Sequence, residues 1–305
     1  MPLTLPDKLP AIELLKNENI FVMNSTRADL QDIRPLRIAC LNLMPIKVTT
    51  ETDIVRLLSN TPLQIELEFI KLHSHKPTHT PIEHLMEFYI DFEEVKKHKY
   101  DGLIVTGAPV EHLEYDQVTY WGEVKEIFDW ARTNVTSTFF ICWAAQAALY
   151  HYYGIKKYPL TKKMFGVFEH VTNDSQNPLF RGFDDVFYMP HSRHTEIRRE
   201  DIERVENLQI LAESADAGVS IVMGKDGREI FITGHAEYSP YTLDEEYKRD
   251  ISKGLPIDIP RNYYPQNNPN LSPLVRWRSH ANLLYTNWLN YFVYQVTPFD
   301  INTIE

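Results

Sequence analysis

The 305-residue chain has two cysteines, and one of them, Cys142, stands where "STFFICWAAQAALYHYYG" (residues 137–154) turns from an apolar strand-like run into a helical one. A thiol on a strand-to-helix turn meets the first N–H groups of the helix and the positive end of its dipole. Together these favour a thiolate and can hold an oxyanion. Taken alone, a cysteine in an apolar run is more often a small buried hydrophobe. The segment "FITGHAEYSP" changes that balance, because it puts His235 at the end of another apolar strand and Glu237 two residues later. In extended chain, positions i and i+2 share a face. The carboxylate can therefore take a hydrogen bond from one imidazole nitrogen while the other addresses a thiol. The spacing predicts a Cys142–His235–Glu237 triad suited to nucleophilic catalysis.

Further residues fit around that triad. In "VTGAPVEHLEYD", Gly107 and Pro109 impose a tight turn, and the N–H groups near Gly107 and Ala108 are expected to join that of Trp143 as oxyanion donors. Glu246 and Arg249 share a helical face at i, i+3 and are suited to an ammonium and a carboxylate, although a solvated ion pair is the ordinary role of such a pair. The stretch "HSHKPTHTPIEH" holds His73, His75, His79 and His84 but has two prolines and no regular ligand spacing, so it reads as a surface loop. No metal site is expected. His191 and His194 of "HSRH" read as part of a substrate wall, and Trp277 and Trp288 as core or subunit-contact residues.

The elements that must position these side chains follow from the hydrophobic pattern. "PLRIACLNLMP" is β-rich, and "TTETDIVRLLSNTP" has a threonine cap, an early acid and helical apolar spacing. "LQIELEFIKL" alternates as a strand, "DFEEVKKHKY" is helix-prone, and "DGLIVTGAPVE" is a buried strand running into its turn. "QVTYWGEVKEIFDWART" is an amphipathic helix leading to the Cys142 strand. Strands alternating with helices predict an α/β fold with a doubly wound, mostly parallel sheet flanked by helices, whose ligands lie at the carboxyl ends of the strands. From about residue 165 shorter strands dominate, with "KDGR" as a hairpin turn. "TLDEEYKRDISKG" is a helix stopped by Gly254, and "LVRWRSHANLLYTNWLNYFVYQ" a long closing helix. The chain is expected to be one domain over residues 1–305, with an arm at 1–35 and a catalytic core at 36–305.

Composition bounds the function. A hydrophobic content of 43% supports a large core, and a net charge of −11 opposes nucleic-acid binding. The N-terminal region has no uninterrupted apolar stretch and no later segment reaches membrane-span length, which predicts a cytoplasmic protein that does not bind membranes. Cys40 and Cys142 are expected to be free thiols.

A cysteine elbow, an upstream Gly-x-Pro turn and a downstream His-x-Glu resemble the class I glutamine amidotransferase-like fold. The flanks depart from it, since "ICWAAQ" lacks the glycines amidotransferases place around their nucleophile. More specifically, "NLMPIKVTTETDIVRLLSNTPLQIELEFI", "VTGAPVE", "FFICWAAQAALYHYYGI", "KKMFGVF", "MPHSRHTE" and "ITGHAEY" resemble the homoserine O-acyltransferase family over nearly the whole chain. That resemblance implies an acyl-CoA donor, L-homoserine as acceptor, a committed step of methionine biosynthesis, and a homodimer. It carries acceptor binding to Lys163, Ser192 and Arg249, with Arg193 also eligible, and leaves Lys47 near the site without a role. In this family glutamate at the position of Glu111 goes with acetyl transfer and glycine with succinyl transfer. Acetyl-CoA is therefore the expected donor, as co-substrate with no bound cofactor, and succinyl-CoA the alternative. A glutaminase would need a partner to receive ammonia, and a thiol sensor would leave His235 and Glu237 without a task.

Overall fold

The computed structural model describes residues 4–5, 9–17, 23–24, 34–75 and 80–304. Much of the 1–35 arm, and His79, lie outside these. Among the described residues one sheet carries twelve strands. They are β1 (Thr4–Leu5), β2 (Met23–Asn24), β3 (Leu36–Leu41), β4 (Ile65–Lys71), β5 (Tyr89–Asp91), β6 (Tyr100–Val105), β7 (Val135–Ile141), β8 (Tyr158–Thr172), β9 (Val186–Glu196), β10 (Leu208–Ser214), β11 (Gly218–Gly224) and β12 (Glu229–Ile232). The order is β2-β1-β4-β3-β6-β7-β12-β11-β10-β8-β9, with β5 on β4. Pairing is parallel from β2 across to β12. It is antiparallel from β12 to β9. The chain goes outward from β3 to β4, then returns past β3 to β6. This is the doubly wound α/β arrangement expected from the alternation, and the crevice it opens lies at the carboxyl ends of β3, β6, β7 and β12.

Strand parity divides the core. Ile38, Cys40, Ile104, Phe139 and Ile141 face one side, and Ala39, Leu41, Leu103, Val105 and Phe140 the other. Among the described residues the helices begin with α1 (Ala11–Asn17), α2 (Lys47–Leu58), α3 (Ile82–Phe88), α4 (Phe92–Val95), α5 (Trp121–Asn134) and α6 (Trp143–Tyr153). They are followed by α7 (Arg199–Glu203), α8 (Thr242–Ser252) and α9 (Arg278–Asn287). α2 and α9 pack on the first face through Ile54, Leu58, Leu284 and Tyr285, while α5 and α6 pack on the second through Phe128 and Leu149. Both cysteines are free and buried.

Several local expectations are corrected. α2 begins at Lys47 with no side-chain cap. Its threonines instead bond backwards, Thr50 to the carbonyl of Ile46 and Thr52 to that of Val48. The histidine-rich stretch is not loop throughout: His84 lies on α3 and pairs with buried Glu51 at 2.9 Å. The closing helix starts at Arg278 and continues as a π-helix over Trp288–Tyr294. That wider turn brings Trp288 and Val293, five residues apart, onto the core. The second half also contains one long strand, the 15-residue β8. Its register with β9 jumps from Pro159↔Thr195 to Met164↔Arg193, so the bulge at 160–163 pushes Lys163 away from the ladder.

Candidate active site

Cys142 joins β7 to α6 with φ 51° and ψ −113°, a strained conformation for a residue with a Cβ. The elbow is held from both sides. Its N–H donates to the carbonyl of Ile232 at the end of β12 (2.7 Å), and its carbonyl accepts from the N–H of Gln146 (3.2 Å). The N–H of Trp143, first in α6, has no carbonyl within its own helix to bond and so is free to serve an oxyanion. The Trp143 ring is buried beside Tyr115, Tyr120 and Trp121, which fixes that turn.

Just beyond β12, His235 donates its backbone N–H to the carbonyl of Pro190 (2.8 Å). Its Nδ1 donates to Glu237 Oε1 at 2.7 Å, and its ring stacks on Tyr238 with centroids 4.1 Å apart. The imidazole lies near the Cys142 thiol, since a Cβ at Gly107 would touch both Cys142 Cβ and His235 Cε1. Burial disfavours the imidazolium, yet the charges and hydrogen bonds of Cys142 and Glu237 raise its pKa well above 6.5. That direction favours a proton on the ring. Glu237 Oε2 is buried and unpartnered among the described residues.

Gly107, after β6, closes the third side. A Cβ there would stand 3.3 Å from Cys142 Cβ and 3.4 Å from His235 Cε1, so the chain at this turn lies directly against both side chains. That close approach lets Gly107 and its neighbour Ala108 present backbone to the same centre.

The expected acceptor residues converge. Lys163 Nζ lies 2.6 Å from Glu246 Oε1, Ser192 Oγ donates to Glu246 Oε2 at 2.8 Å, and Arg249 Nη2 is 3.5 Å from Glu246 Oε1. The β8 bulge, β9 and α8 each contribute to this cluster, which offers cations and an acid to a zwitterion. Asp250, next to Arg249, was not anticipated from the sequence. It reaches Arg249 at 2.7 Å and Lys163 at 3.7 Å. Tyr238 was also missed, although its place three residues after His235 and one after Glu237 was a usable signal.

Glu111 connects the two groups. Its Oε1 accepts the backbone N–H of His194 at 3.1 Å. Burial raises its pKa, opposed by that hydrogen bond and by the charges of His235 and Lys163. Glu111 is half-buried, with Oε1 turned to the backbone of β9.

Two expectations about "HSRH" are corrected by strand parity. Ser192 and His194 share the site face of β9, while His191 and Arg193 point to the opposite, buried face. Arg193 is 1% exposed and donates to the carbonyls of Thr195 (2.6 Å) and Ala217, so its guanidinium is committed to the core and does not serve the acceptor. His191 pairs with His170 at 3.1 Å and is a core residue. Lys47 is buried at the carboxyl end of β3, donating to the carbonyls of Asn42 (2.5 Å) and Met44 (3.3 Å). Burial lowers its pKa to about 8.

Known proteins resemble this chain in both sequence and fold. Residues 2–299 match the family described as homoserine O-succinyltransferase. A homoserine O-acetyltransferase of Bacteroides thetaiotaomicron is 67% identical over the whole of both chains. One of Acetivibrio thermocellus is 59% identical, again over the whole of both. Among solved structures, a glutamine amidotransferase of Thermotoga maritima superposes with a TM-score of 0.56 at 12% identity, covering 85% of this chain and 98% of its own. That likeness concerns the fold alone.

Proposed function

Since the chain belongs to the homoserine O-succinyltransferase family and is an acyltransferase, we propose that it transfers acetyl from acetyl-CoA to the hydroxyl of L-homoserine, through a thioester on Cys142. The observation that carries this reading is the meeting of the Cys142–His235–Glu237 triad with an acceptor cluster of Lys163, Ser192, Glu246 and Arg249.

Each half-reaction uses the same proton carrier. The Cys142 thiolate attacks the thioester carbonyl, and negative charge develops on oxygen beside the N–H groups of Trp143, Gly107 and Ala108. The tetrahedral adduct collapses, the carbon–sulfur bond to CoA breaks, and His235 gives its proton to the departing thiolate. Neutral His235 then takes the proton of the homoserine hydroxyl, whose oxygen attacks the acyl-enzyme. Breaking the bond to Cys142 restores the thiolate and imidazolium. Glu237 keeps the ring oriented throughout. In the acceptor cluster Glu246 holds the ammonium group, and Lys163 and Arg249 the carboxylate.

Acetyl is favoured by Glu111 and by the names of the relatives. The second reading, succinyl transfer, is favoured by the description of the family itself. Incubation with acetyl-CoA alone should release CoA and add one acetyl mass to the Cys142 peptide, and added homoserine should remove it. An unmodified Cys142 in an active enzyme would defeat the mechanism. The product places the enzyme in methionine biosynthesis. A cytoplasmic homodimer belongs to the same reading: among the described residues no helix is long and apolar enough to cross a membrane. Exposed Tyr294, Val296 and Phe299 form an apolar tail that a second copy would cover. Sedimentation of a Phe299→Asp variant would check that.

A further inference from the structure

We propose that Glu111, His112 and His194 form a binding site for a borderline-soft divalent metal ion of the zinc class, beside the acyl pocket. One ligand atom from each residue lies within 4.8 Å of the other two. Atoms held tetrahedrally by one such ion at roughly 2.0–2.2 Å stand about 3.3–3.6 Å apart. The set therefore closes when its ligand atoms draw in by about 1 Å, a side-chain rotation that exposed His112 is free to make. The two imidazoles already face each other, with ring centroids 4.2 Å apart. Among the described residues neither ring makes a hydrogen bond, whereas His84, His151, His170 and His235 all do. Glu111 is held in place through Oε1 by the N–H of His194, which leaves Oε2 for an ion. Two imidazoles and one carboxylate suit zinc, cobalt or nickel, and not magnesium or calcium, which prefer oxygen ligands.

Occupancy has a consequence for turnover. Glu111 is close enough to feel the charges of His235 and Lys163. An ion on its carboxylate would put a cation near the catalytic imidazole and the acceptor cluster, and so inhibit. The inhibition rests on the acyl-transfer reading, whereas the binding does not.

The test is titration of the metal-free, full-length enzyme with Co²⁺, read from the visible d–d bands and by calorimetry. One equivalent is expected, without the thiolate-to-cobalt charge-transfer band that ligation by Cys142 would give, and unchanged in Cys142→Ser. Loss of even a supporting partner costs roughly 10–100-fold in metal affinity. His112→Ala and His194→Gln should therefore each weaken binding at least tenfold, while His75→Ala in the separate histidine-rich stretch should not. His112→Ala, at an exposed position, should keep turnover and lose inhibition by Zn²⁺. Absence of one-equivalent binding, a charge-transfer band that vanishes in Cys142→Ser, or binding that follows His75 in place of His112 and His194 would overturn the site. If Co²⁺ binds as expected but turnover is unaffected, the site stands and its inhibitory role falls.

Discussion

Lys163, at the end of the β8 bulge, and Glu246, on α8, are joined at 2.6 Å, although 83 residues separate them in the chain. Only the bulge brings the lysine into reach. An interaction with a charged group of this kind is worth roughly 1.5–3 kcal/mol, or about ten- to a hundredfold in rate. Lys163→Met and Glu246→Gln should therefore slow deacylation by homoserine by that factor and leave acylation of Cys142 by acetyl-CoA nearly unchanged. Rapid-quench measurement of the two half-reactions separates these outcomes, and equal damage to both would make the pair structural.

His235 carries a pH signature. Burial opposes its charge, but Cys142 and Glu237 hold its pKa well above 6.5. The folded state thus binds this proton more tightly than the unfolded chain does. Its stabilising contribution is complete below the unfolded value of about 6.5 and fades as pH rises through the folded value. Nitrogen NMR of labelled histidine should find this ring protonated at neutral pH, and Glu237→Gln should lower its midpoint. The stability gap between wild type and Glu237→Gln should narrow toward alkaline pH. A ring neutral at pH 7 would remove the ion pair from the mechanism.

The triad was legible because Cys142 and His235 follow strongly apolar strands and Glu237 lies two residues past His235; the pairing survives although that segment is a turn and not the extended chain the spacing assumed. Glu246 and Arg249 were legible as one helical face, but their partners were not. Lys163 reaches them through an irregular register and Ser192 through β9, and neither pairing leaves a local trace. "HSRH" shows the same limit. Alternation alone separates His191 and Arg193 from Ser192 and His194, but which pair faces the core depends on what packs there. Arg193 is satisfied by the carbonyls of Thr195 and Ala217, and the second of these belongs to a turn whose proximity only the folded sheet establishes. The π-helical turn at Trp288 was similarly hidden, because its cause is the surface it covers.

Gly107 gives a steric prediction. An added Cβ would meet Cys142 Cβ at 3.3 Å, so that side must yield by a few tenths of an ångström, while His235 Cε1 at 3.4 Å stands at the limit of ordinary contact. Overpacking of this sort costs about 1–3 kcal/mol, which a chain with this core should survive. Displacements near 1 Å between reacting groups can cost about a hundredfold, so a smaller one should cost roughly tenfold. Gly107→Ala should then fold, bind acetyl-CoA, and acylate about ten times more slowly. Wild-type acylation kinetics would mean that this turn does not press on the reacting pair.

The last prediction concerns the donor. Succinyl-CoA differs from acetyl-CoA by a terminal carboxylate, and Glu111 is partly buried against His194, facing His235 and Lys163. Screening by solvent is weak at such a position. Two like charges about 4 Å apart at an effective dielectric near 20 repel by about 4 kcal/mol. If that penalty is felt in the transition state, it corresponds to roughly three decades in rate. The glutamate side chain also fills volume that a four-carbon diacid needs and a two-carbon acetyl group does not. Glu111→Gly should therefore admit succinyl-CoA and lose preference for acetyl-CoA, read as the ratio of kcat/KM for the two donors. Glu111→Gln should recover only part of the succinyl activity, because it removes the charge and keeps the bulk. Unchanged donor ratios in both variants would move the origin of specificity away from Glu111 while leaving the thioester on Cys142 intact.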